Sequence, residues 1–390
     1  MTRQWSVALG VTAGVVLVSH ALAADRITLG FMTTLSGPNA IIGTELRDGM
    51  QLAFDQLGGK IGRLPARVIV EDDQQKADVA RQLADKFVKS DKVDAAIGFS
   101  FSNLMLAVYR PLIDSKTIVI SSNPGPSQIA GKDCSPYFFS TSWQGDNWAE
   151  AMGAYLQKKG QQNIYLLAPN YAAGKDVLTG FKRFYKGSIA GEVYTPLTQL
   201  DFSAELSQIK ATNPGAVFAF YPGGLGVQFV KQYAQAGLKD KYTLFSSYTV
   251  DELTLPAVGN DALSLVITTS WAPDLDNPAN KKFVDTFRAK YGRSPSAYAV
   301  HAYDTIMLLD GAVRAVGGKI EDKEALLAAL KKADFKSPRG FFRFNTNQFP
   351  IQNFYAAKIT KGSDDKPRSV IEDMALKEYG DAYAADCPMK

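Results

Sequence analysis

Six polar loops of this chain carry the groups that could bind a small anion. Each follows a predicted strand and is rich in Ser, Asn, Gly or Pro, and hydroxyls with free backbone N–H groups at helix starts suit a carboxylate. Because open α/β sheets bind ligands at the carboxyl ends of their strands, we expect these loops to meet in one site. The loops are SGPNAIIG (36–43), GFSFSN (98–103), SSNPGPS (121–127), APNYAAGKD (168–176), YPGGLG (221–226) and SSYTVDE (246–252).

Four aromatic residues are interleaved with these polar groups, namely Phe101, Tyr171, Tyr221 and Tyr248. Aromatic rings suit a flat apolar body, and small-molecule sites combine apolar walls with a few polar anchors. For any one of the four residues, packing in the core is as good an interpretation as contact with a ligand. Their shared position after predicted strands favours a binding site.

The sequence offers little for catalysis. It has two histidines, His20 and His301, and none of the motifs GxSxG, HExxH and GxxxxGK[ST]. The run GGLG at 223–226 is an incomplete dinucleotide fingerprint and is better interpreted as a tight turn. The pair Asp72–Asp73 is better explained by a solvated turn or helix cap than by hydrolase chemistry. We therefore expect a binding protein with no cofactor and no metal site, rather than an exported α/β enzyme.

Alternating strands and amphipathic helices from residue 26 to about 335 must position these loops. The first unit, 26–59, has strand residues of alternating polarity, a Gly/Pro/Asn loop and an apolar helical face. The βα order predicts an α/β fold with doubly wound parallel sheets. After residue 340 we expect short strands and then a polar tail. The later predicted strands are 67–70, 94–99, 117–122, 163–168, 216–221, 242–247 and 264–269.

The N-terminus has the pattern of an export signal. Arg3 precedes an apolar core over 6–19, and Ala21-Leu22-Ala23 fits a small-residue cleavage site. Because the apolar run is shorter than the about 20 residues of a membrane span, a cleaved signal peptide over 1–23 is favoured over an uncleaved anchor. No cysteine follows the cleavage site, which argues against a lipid anchor. We expect a soluble mature protein outside the cytoplasm.

Composition predicts two lobes and excludes a nucleic-acid partner. About 365 residues remain after cleavage, which is too many for one ordinary core. The net charge of +4 is spread over interspersed acids and bases, without the dense basic cluster that nucleic acids require.

The chain contains two cysteines, Cys134 and Cys387. In an oxidising compartment, two cysteines most simply form one disulfide, which we favour over two inert thiols. The bridge would tie the C-terminus to the middle of the chain.

Several segments, in order and spacing, resemble the solute-binding proteins of branched-chain amino-acid-type ABC transporters, the leucine/isoleucine/valine-binding family. The resemblance covers nearly all of the mature chain. It implies a type I periplasmic binding fold, with two lobes that are joined by three crossovers near residues 142, 271 and 345 and that close on a ligand. It also implies periplasmic location, a membrane permease as partner and a monomeric chain. The segments are SGPNAIIG, AAIGFSFSN, IVISSNPGPS, YFFSTSWQGD, LLAPNYAAGKD, DFSAELSQIKATNPGAVFAFYPGG and SPSAYAVHAYD.

This resemblance also implies the lobe boundaries and several binding residues. We expect an N-terminal lobe of 24–141 plus 272–345, a C-terminal lobe of 142–271 plus 346–372, and a tail of 373–390. Ser102 matches the family's carboxylate-binding serine, and the segment Asn123, Pro124 and Gly125 matches one that also holds the carboxylate. Aromatic contacts from the second lobe are matched by Tyr171 and Tyr221. Ile42 matches a ligand-contacting position beside the first loop's glycine.

One departure from the family bears on the ligand. Where amino-acid binders place an acidic residue against the ammonium group, this chain has Tyr248, with Asp251 displaced. An unpaired buried ammonium is costly, which argues against an α-amino acid. The chain more closely resembles the family members that take aromatic carboxylates, which implies a ligand like benzoate, phenylacetate or cinnamate. His301 would then donate to a ring hydroxyl or to the carboxylate, or else be a structural histidine. The alternatives are a branched-chain or other aliphatic amino acid as ligand, and a sensing module that docks to a receptor.

Overall fold

The computed structural model describes residues 25–362 and 364–389. The predicted signal peptide over 1–23 lies outside these residues. No helix in the described part of the chain is both long and apolar enough to cross a membrane. The described chain forms two β-sheets that are covered by helices, and each sheet with its helices is called a lobe below.

Six strands form the sheet of the first lobe: β1 (Ile27–Thr33), β2 (Lys60–Ile61), β3 (Leu64–Asp72), β4 (Ala95–Gly98), β5 (Ile118–Ser121) and β6 (Phe138–Ser140). Their order across the sheet is β2-β3-β1-β4-β5-β6, and all neighbours except β2 and β3 run parallel. The carboxyl ends of β1, β4 and β5 therefore meet at one edge. β4 and β5 are buried along their whole length, as parallel strands between two helical layers must be.

Four helices follow these strands: α1 (Ala40–Gln56), α2 (Ala77–Lys86), α3 (Ser102–Asp114) and α4 (Ser127–Ala130). On α1 the predicted apolar face is buried, because Leu46, Met50 and Ala53 are inaccessible to solvent. Both α1 and α3 begin directly after strand-end loops, so their N-terminal ends lie beside the carboxyl edge of the sheet.

The second lobe repeats this arrangement with five parallel strands: β7 (Ile164–Pro169), β8 (Ile189–Thr195), β9 (Ala216–Ala219), β10 (Leu244–Ser247) and β11 (Val266–Thr269). Five helices belong to it: α5 (Asn147–Lys158), α6 (Ala172–Phe184), α7 (Ser203–Thr212), α8 (Gly223–Gln235) and α9 (Leu255–Val258). The chain then returns to the first lobe as α10 (Pro278–Tyr291), α11 (Ala297–Ala315) and α12 (Lys323–Lys331). The second sheet is completed by β12 (Phe342–Phe344), β13 (Pro350–Lys361) and β14 (Pro367–Tyr379), in the order β12-β13-β11-β10-β9-β7-β8 with β14 paired to β13.

A buried arginine connects the segments that pass between the lobes. Arg339, which lies between α12 and β12, donates to the Asp304 carboxylate on α11 at 2.8 Å. The same guanidinium donates to the carbonyl of Ser142 in the first crossover at 3.1 Å and to Gln352 on β13 at 2.6 Å. Arg339 and Asp304 are almost fully buried. This one guanidinium therefore holds α11, the first crossover and β13 together.

The architecture confirms the predicted α/β fold with two doubly wound lobes and three crossovers. The disulfide between Cys134 and Cys387 is also confirmed, with a Cα–Cα distance of 5.6 Å. Residues after 372, which we expected to form a tail, continue β14 as far as Tyr379. They do so because β14 forms an antiparallel hairpin with the preceding long strand β13, which offers a pairing edge from Lys361, opposite Pro367, to Gln352, opposite Tyr379. The lobe boundaries given above stay a prediction.

Candidate functional site

A cleft lies between the lobes, where loops after β4 and β5 face loops after β7, β9 and β10. About 420 Å³ of space between the two lobes, part of it open to solvent, is not filled by protein atoms. Eight of the ten predicted ligand-binding residues line it, and Tyr221 and His301 do not. The lining consists of Ile42, Ser100, Phe101, Ser102, Asn123, Pro124, Gly125, Trp143, Gly145, Tyr171, Ala173, Val177, Phe220, Pro222, Tyr248 and Tyr298.

The N-terminus of α3 forms one polar end of the cleft. Ser102 is the first residue of this helix and is almost fully buried. The first amide groups of a helix have no carbonyl acceptor in their own helix and carry the positive end of its dipole. Among the described residues, the Ser102 hydroxyl forms no hydrogen bond, although it lines the cleft. This combination of a hydroxyl and helix-start amides suits a carboxylate.

The loop after β5 is held rigidly beside Ser102. The Asn123 side-chain amide donates to the Ser100 carbonyl at 2.6 Å, and the Ser121 hydroxyl donates to the Pro124 carbonyl at 2.6 Å. A Cβ on Gly125 would lie only 2.2 Å from the Trp143 carbonyl oxygen. Gly125 therefore allows the loop and the first crossover to approach closely, and the protein's own contacts hold this part of the pocket wall.

Aromatic side chains from both lobes and from the crossover form the remaining walls. The ring of Trp143 lies 5.1 Å from that of Tyr248 and 5.8 Å from that of Tyr298, measured between centroids. Phe220 lies 5.6 Å from Tyr248 and 6.2 Å from Tyr171. Edge and offset contacts at these distances are favourable for aromatic pairs, so the walls present ring faces and edges to a flat ligand.

Tyr248 holds its position by unusual backbone geometry. Its φ is 60°, a left-handed conformation that is costly for a bulky residue and is found most often at functional sites. The ring stacks on Trp148 at 4.3 Å with an interplanar angle of 4°. The hydroxyl donates to the Gly145 carbonyl at 3.3 Å and accepts from the Trp148 backbone N–H at 3.1 Å. Tyr248 thus offers the cleft a ring, and its hydroxyl is already engaged.

No charged side chain occurs among the described residues that line the cleft. Asp251, the nearest acid in sequence to Tyr248, accepts the backbone N–H groups of Leu253 at 3.0 Å and Thr254 at 3.2 Å. Burial raises the pKa of Asp251 to about 6, against the opposing hydrogen bonds from Thr254 and Leu253. This carboxylate closes the turn before α9 and is directed to the backbone rather than to a ligand.

The lobes are in contact at the mouth of the cleft. Ile42, in the first turn of α1, lies against Gly223 at the start of α8, where an added Cβ would be 3.3 Å from the Ile42 side chain. Gly223 has a φ of +55°, which favours glycine. The two N-terminal helix ends therefore approach each other across the cleft, and this arrangement is a closed one.

The structure does not bring Tyr221 to the cleft. Its ring packs on Phe202 and Phe229, each at 4.8 Å, inside the second lobe, and its hydroxyl accepts from Thr195 at 3.3 Å. Successive side chains on extended backbone point to opposite sides, so Phe220 takes the cleft position instead. The prediction of Tyr221 as a ligand contact is corrected to Phe220 as the aromatic lining residue.

His301 lies behind Trp143, with the rings 4.7 Å apart and at 82° to each other, and so does not line the cleft. Neither of its ring nitrogens has a hydrogen-bond partner in the part of the chain that the structure describes. Burial, and then the charge of Arg339, hold the pKa of His301 well below its ordinary value. The imidazole is neutral and supports Trp143 from behind, and its contact with a ligand stays a prediction.

Sequence reasoning missed three large lining residues, Trp143, Phe220 and Tyr298. Trp143 sits in the first crossover, whose sequence has no strand or helix period to mark it. The signal for Phe220 was the two-residue alternation after β9, which separates it from Tyr221. Tyr298 lies one helical turn before His301 on α11, so the helical spacing of SAYAVHAYD could have identified it.

The sequence profile of a family described as "Periplasmic binding protein" matches residues 26–364. A curated relative, Leu/Ile/Val-binding protein homolog 6 of Brucella melitensis, is 30% identical over 369 residues, which is 92% of this chain and 94% of the relative.

Two solved structures of solute-binding proteins of ABC transporters resemble this fold. One, from R. palustris in complex with benzoate, has a TM-score of 0.88 and 29% identity and covers 93% of this chain and 99% of its own. The other, from Rhodopseudomonas palustris BisB5 in complex with 3,4-dihydroxy benzoic acid, has a TM-score of 0.84 and 29% identity, over 91% and 99% of the two chains.

Proposed function

The chain belongs to the periplasmic binding protein family, and we propose that it captures an aromatic carboxylate between its lobes for an ABC importer. It is a periplasmic solute-binding protein of the ABC-transporter type, with a type I periplasmic binding fold, and it is not an enzyme. Its structural relatives include binders of aromatic acids. The ligand that we propose has a flat ring and one carboxylate, as benzoate, phenylacetate and cinnamate do.

The aromatic, uncharged lining of the cleft is the observation that carries this proposal. A carboxylate finds the Ser102 hydroxyl and the first amides of α3 at one end, while its ring finds Trp143, Phe220 and Tyr248. The ammonium of an amino acid would find no carboxylate among the described lining residues, and an unpaired buried ammonium is strongly unfavourable. The composition of the cleft thus favours a monocarboxylate without an amino group.

The second candidate ligand is a branched-chain or other aliphatic amino acid. It is favoured by the curated relative named for leucine, isoleucine and valine, and by the apolar side chains of Ile42 and Val177 in the cleft. For such a ligand the ammonium would need backbone carbonyls or water as partners. A third possibility is that the protein senses the same ligand for a receptor, which would leave the site unchanged.

Isothermal titration calorimetry of the mature protein decides between the two ligand classes. We expect benzoate, phenylacetate or coumarate to bind with micromolar or tighter affinity, and leucine, isoleucine and valine to give no heat beyond dilution. Small-angle scattering with the bound acid should show a compact, closed molecule. Tight binding of leucine or valine with no response to the aromatic acids would defeat this ligand assignment.

The proposed cellular setting follows from the family. We propose that a signal peptide over 1–23 directs export, that the mature chain is a monomer, and that its partner is the membrane permease of the importer. N-terminal sequencing of the exported protein tests the cleavage of the signal peptide, and sedimentation tests whether the mature chain is a monomer. A mature chain that still carries residues 1–23 would contradict cleavage.

A further inference from the structure

Two phenol hydroxyls that line the cleft have no hydrogen-bond partner among the described residues. They belong to Tyr171, which precedes α6 in the second lobe, and to Tyr298, on α11 in the first lobe. The other hydroxyls that line the cleft are differently placed. Those of Ser100 and Tyr248 are engaged in internal hydrogen bonds, and that of Ser102 stands at the anion-binding end.

Both phenols are held within the closed cleft. Tyr298 is 3% exposed, and its ring packs edge-on against Trp143 at 5.8 Å. Tyr171 is half-buried and lies nearly parallel to Phe220 at 6.2 Å. A molecule that fills the cleft removes these hydroxyls from water, and a hydroxyl that is buried without a hydrogen-bond partner is unfavourable. A ligand is therefore expected to supply polar atoms to them.

The charge of the cleft restricts what that polar atom can be. No acidic or basic side chain lines the cleft in the described part of the chain, so a second carboxylate or an ammonium on the ligand would be buried without a counter-ion. Burial raises the pKa of Tyr171 and of Tyr298 far above the physiological range, so both phenols are protonated and can donate as well as accept. A neutral hydroxyl matches this pair, because it too can donate and accept.

We propose that Tyr298, together with Tyr171, recognises a hydroxyl substituent on the ring of the ligand, which makes the protein selective for hydroxylated aromatic carboxylates. This inference rests on the proposed function and names the substrate class within it. Selection arises because a ligand without the hydroxyl leaves the two phenols unpaired in the closed cleft, and a site built to hydrogen-bond a hydroxyl discriminates strongly against such an analogue.

The test compares benzoate, 3-hydroxybenzoate, 4-hydroxybenzoate, 4-methylbenzoate and terephthalate by calorimetry on the wild-type protein and two variants. Tyr298→Phe and Tyr171→Phe remove one hydroxyl each and keep the rings. The matched control is Tyr303→Phe, on the same helix, because the Tyr303 hydroxyl donates to Gln56 at 2.8 Å outside the cleft. We expect wild-type protein to bind at least one hydroxybenzoate about tenfold or more tightly than benzoate or 4-methylbenzoate, and terephthalate most weakly.

The variants separate this inference from the proposed function. Tyr298→Phe should abolish most of the preference for the hydroxylated acid, because its binding weakens by up to about tenfold while benzoate, which no longer leaves that hydroxyl unpaired, binds more tightly. Tyr303→Phe should alter the binding of neither acid. Equal binding of benzoate and both hydroxybenzoates, or a preference that survives in Tyr298→Phe and Tyr171→Phe, would overturn the inference and leave the proposed function standing. Failure of every aromatic acid to bind wild-type protein would overturn both.

Discussion

Gly224 at the start of α8 lies against the carbonyl of Pro38, so closely that a Cβ on Gly224 would be 2.6 Å from that oxygen. Pro38 belongs to the loop between β1 and α1 in the first lobe, whereas Gly224 follows β9 in the second. The contact therefore spans the cleft and exists only when the lobes are closed. Backbone atoms on one side leave little freedom to relax, so the absence of a side chain at residue 224 is a condition for closure.

Substitution of this glycine is predicted to impair ligand binding more than folding. In Gly224→Ala the added methyl group meets the Pro38 carbonyl and destabilises the closed state, so we expect affinity for the aromatic acid to fall about tenfold or more. The unliganded protein should melt at an unchanged temperature, because the first turn of a helix tolerates alanine. Calorimetry and small-angle scattering provide the measurements, with Gln228→Ala on the exposed face of α8 as control. Wild-type affinity and ligand-induced compaction in Gly224→Ala would show that the lobes close differently.

The disulfide is predicted to stabilise the protein by restricting the unfolded chain. Cys134 and Cys387 are separated by 253 residues, and closing a long loop removes entropy from the unfolded state. The double variant Cys134→Ser/Cys387→Ser should lose about 2–4 kcal/mol of unfolding free energy in urea, and reduction of the wild type should have a similar effect. Thiol titration of unfolded, unreduced wild-type protein should find no thiol. Two reactive thiols in that experiment would contradict the bridge.

His301 is predicted to make the stability of the protein fall at acidic pH. Its pKa is held well below 6.5 in the folded state by burial and by Arg339, so below pH 6.5 the unfolded chain binds a proton that the folded one does not. The contribution of His301 to the free energy of unfolding is thus fully present above pH 6.5. It is lost as the pH falls below that value, by up to about 1.4 kcal/mol per pH unit. Asp304 acts in the opposite direction, since burial raises its pKa to about 6.

A paired variant isolates the contribution of this histidine. His301→Phe keeps a ring against Trp143, removes the titrating group and leaves Arg339 and Asp304 in place. Between pH 7.5 and pH 5.5, wild-type protein should lose about 1.4 kcal/mol of unfolding free energy relative to His301→Phe. Urea denaturation at the two pH values measures this difference. A difference that does not change with pH would mean that the folded protein accommodates the imidazolium.

Local sequence patterns predicted the strands because burial on both faces gives a near-continuous apolar run, as in β5 and β7. They failed at β8, whose residues are exposed or half-buried over most of its length, so that no apolar run marks this edge strand. β14 was missed for a related reason. Its residues are almost all exposed or half-buried, so no apolar run marks it, although it pairs with the adjacent β13 in an antiparallel hairpin.

Residues of the cleft could be predicted from the sequence where their type suits ligand binding and their loop follows a buried parallel strand. Ser102, Asn123 and Gly125 meet this condition, because each stands directly after a buried parallel strand. For the aromatic residues, the sequence did not reveal the direction in which each side chain points. Phe220 and Tyr221 are adjacent, and only the path of the backbone after β9 decides which ring enters the cleft. Trp143 required knowledge of where the first crossover lies relative to both lobes.

Ser102 provides the most direct test of the polar end of the site. It is the first residue of α3, its hydroxyl lines the cleft, and the aromatic rings lie around the rest of the cavity. A hydrogen bond to a charged group contributes roughly 1.5–3 kcal/mol. Ser102→Ala should therefore weaken the binding of the aromatic acid about ten- to a hundredfold, while the corresponding neutral amide, benzamide, should bind weakly to both proteins.

The matched control is Ser203→Ala, because Ser203 is likewise the first residue of a helix, α7, but lies on the surface of the second lobe away from the cleft. Both variants should unfold at wild-type urea concentrations, since alanine at the first helical position alters helix stability little. Calorimetry at constant pH and salt then assigns any loss of affinity to the hydroxyl itself. Unchanged affinity in Ser102→Ala would show that the helix-start amides bind the carboxylate without the hydroxyl. A loss of equal size in Ser203→Ala would instead point to an indirect effect on the fold.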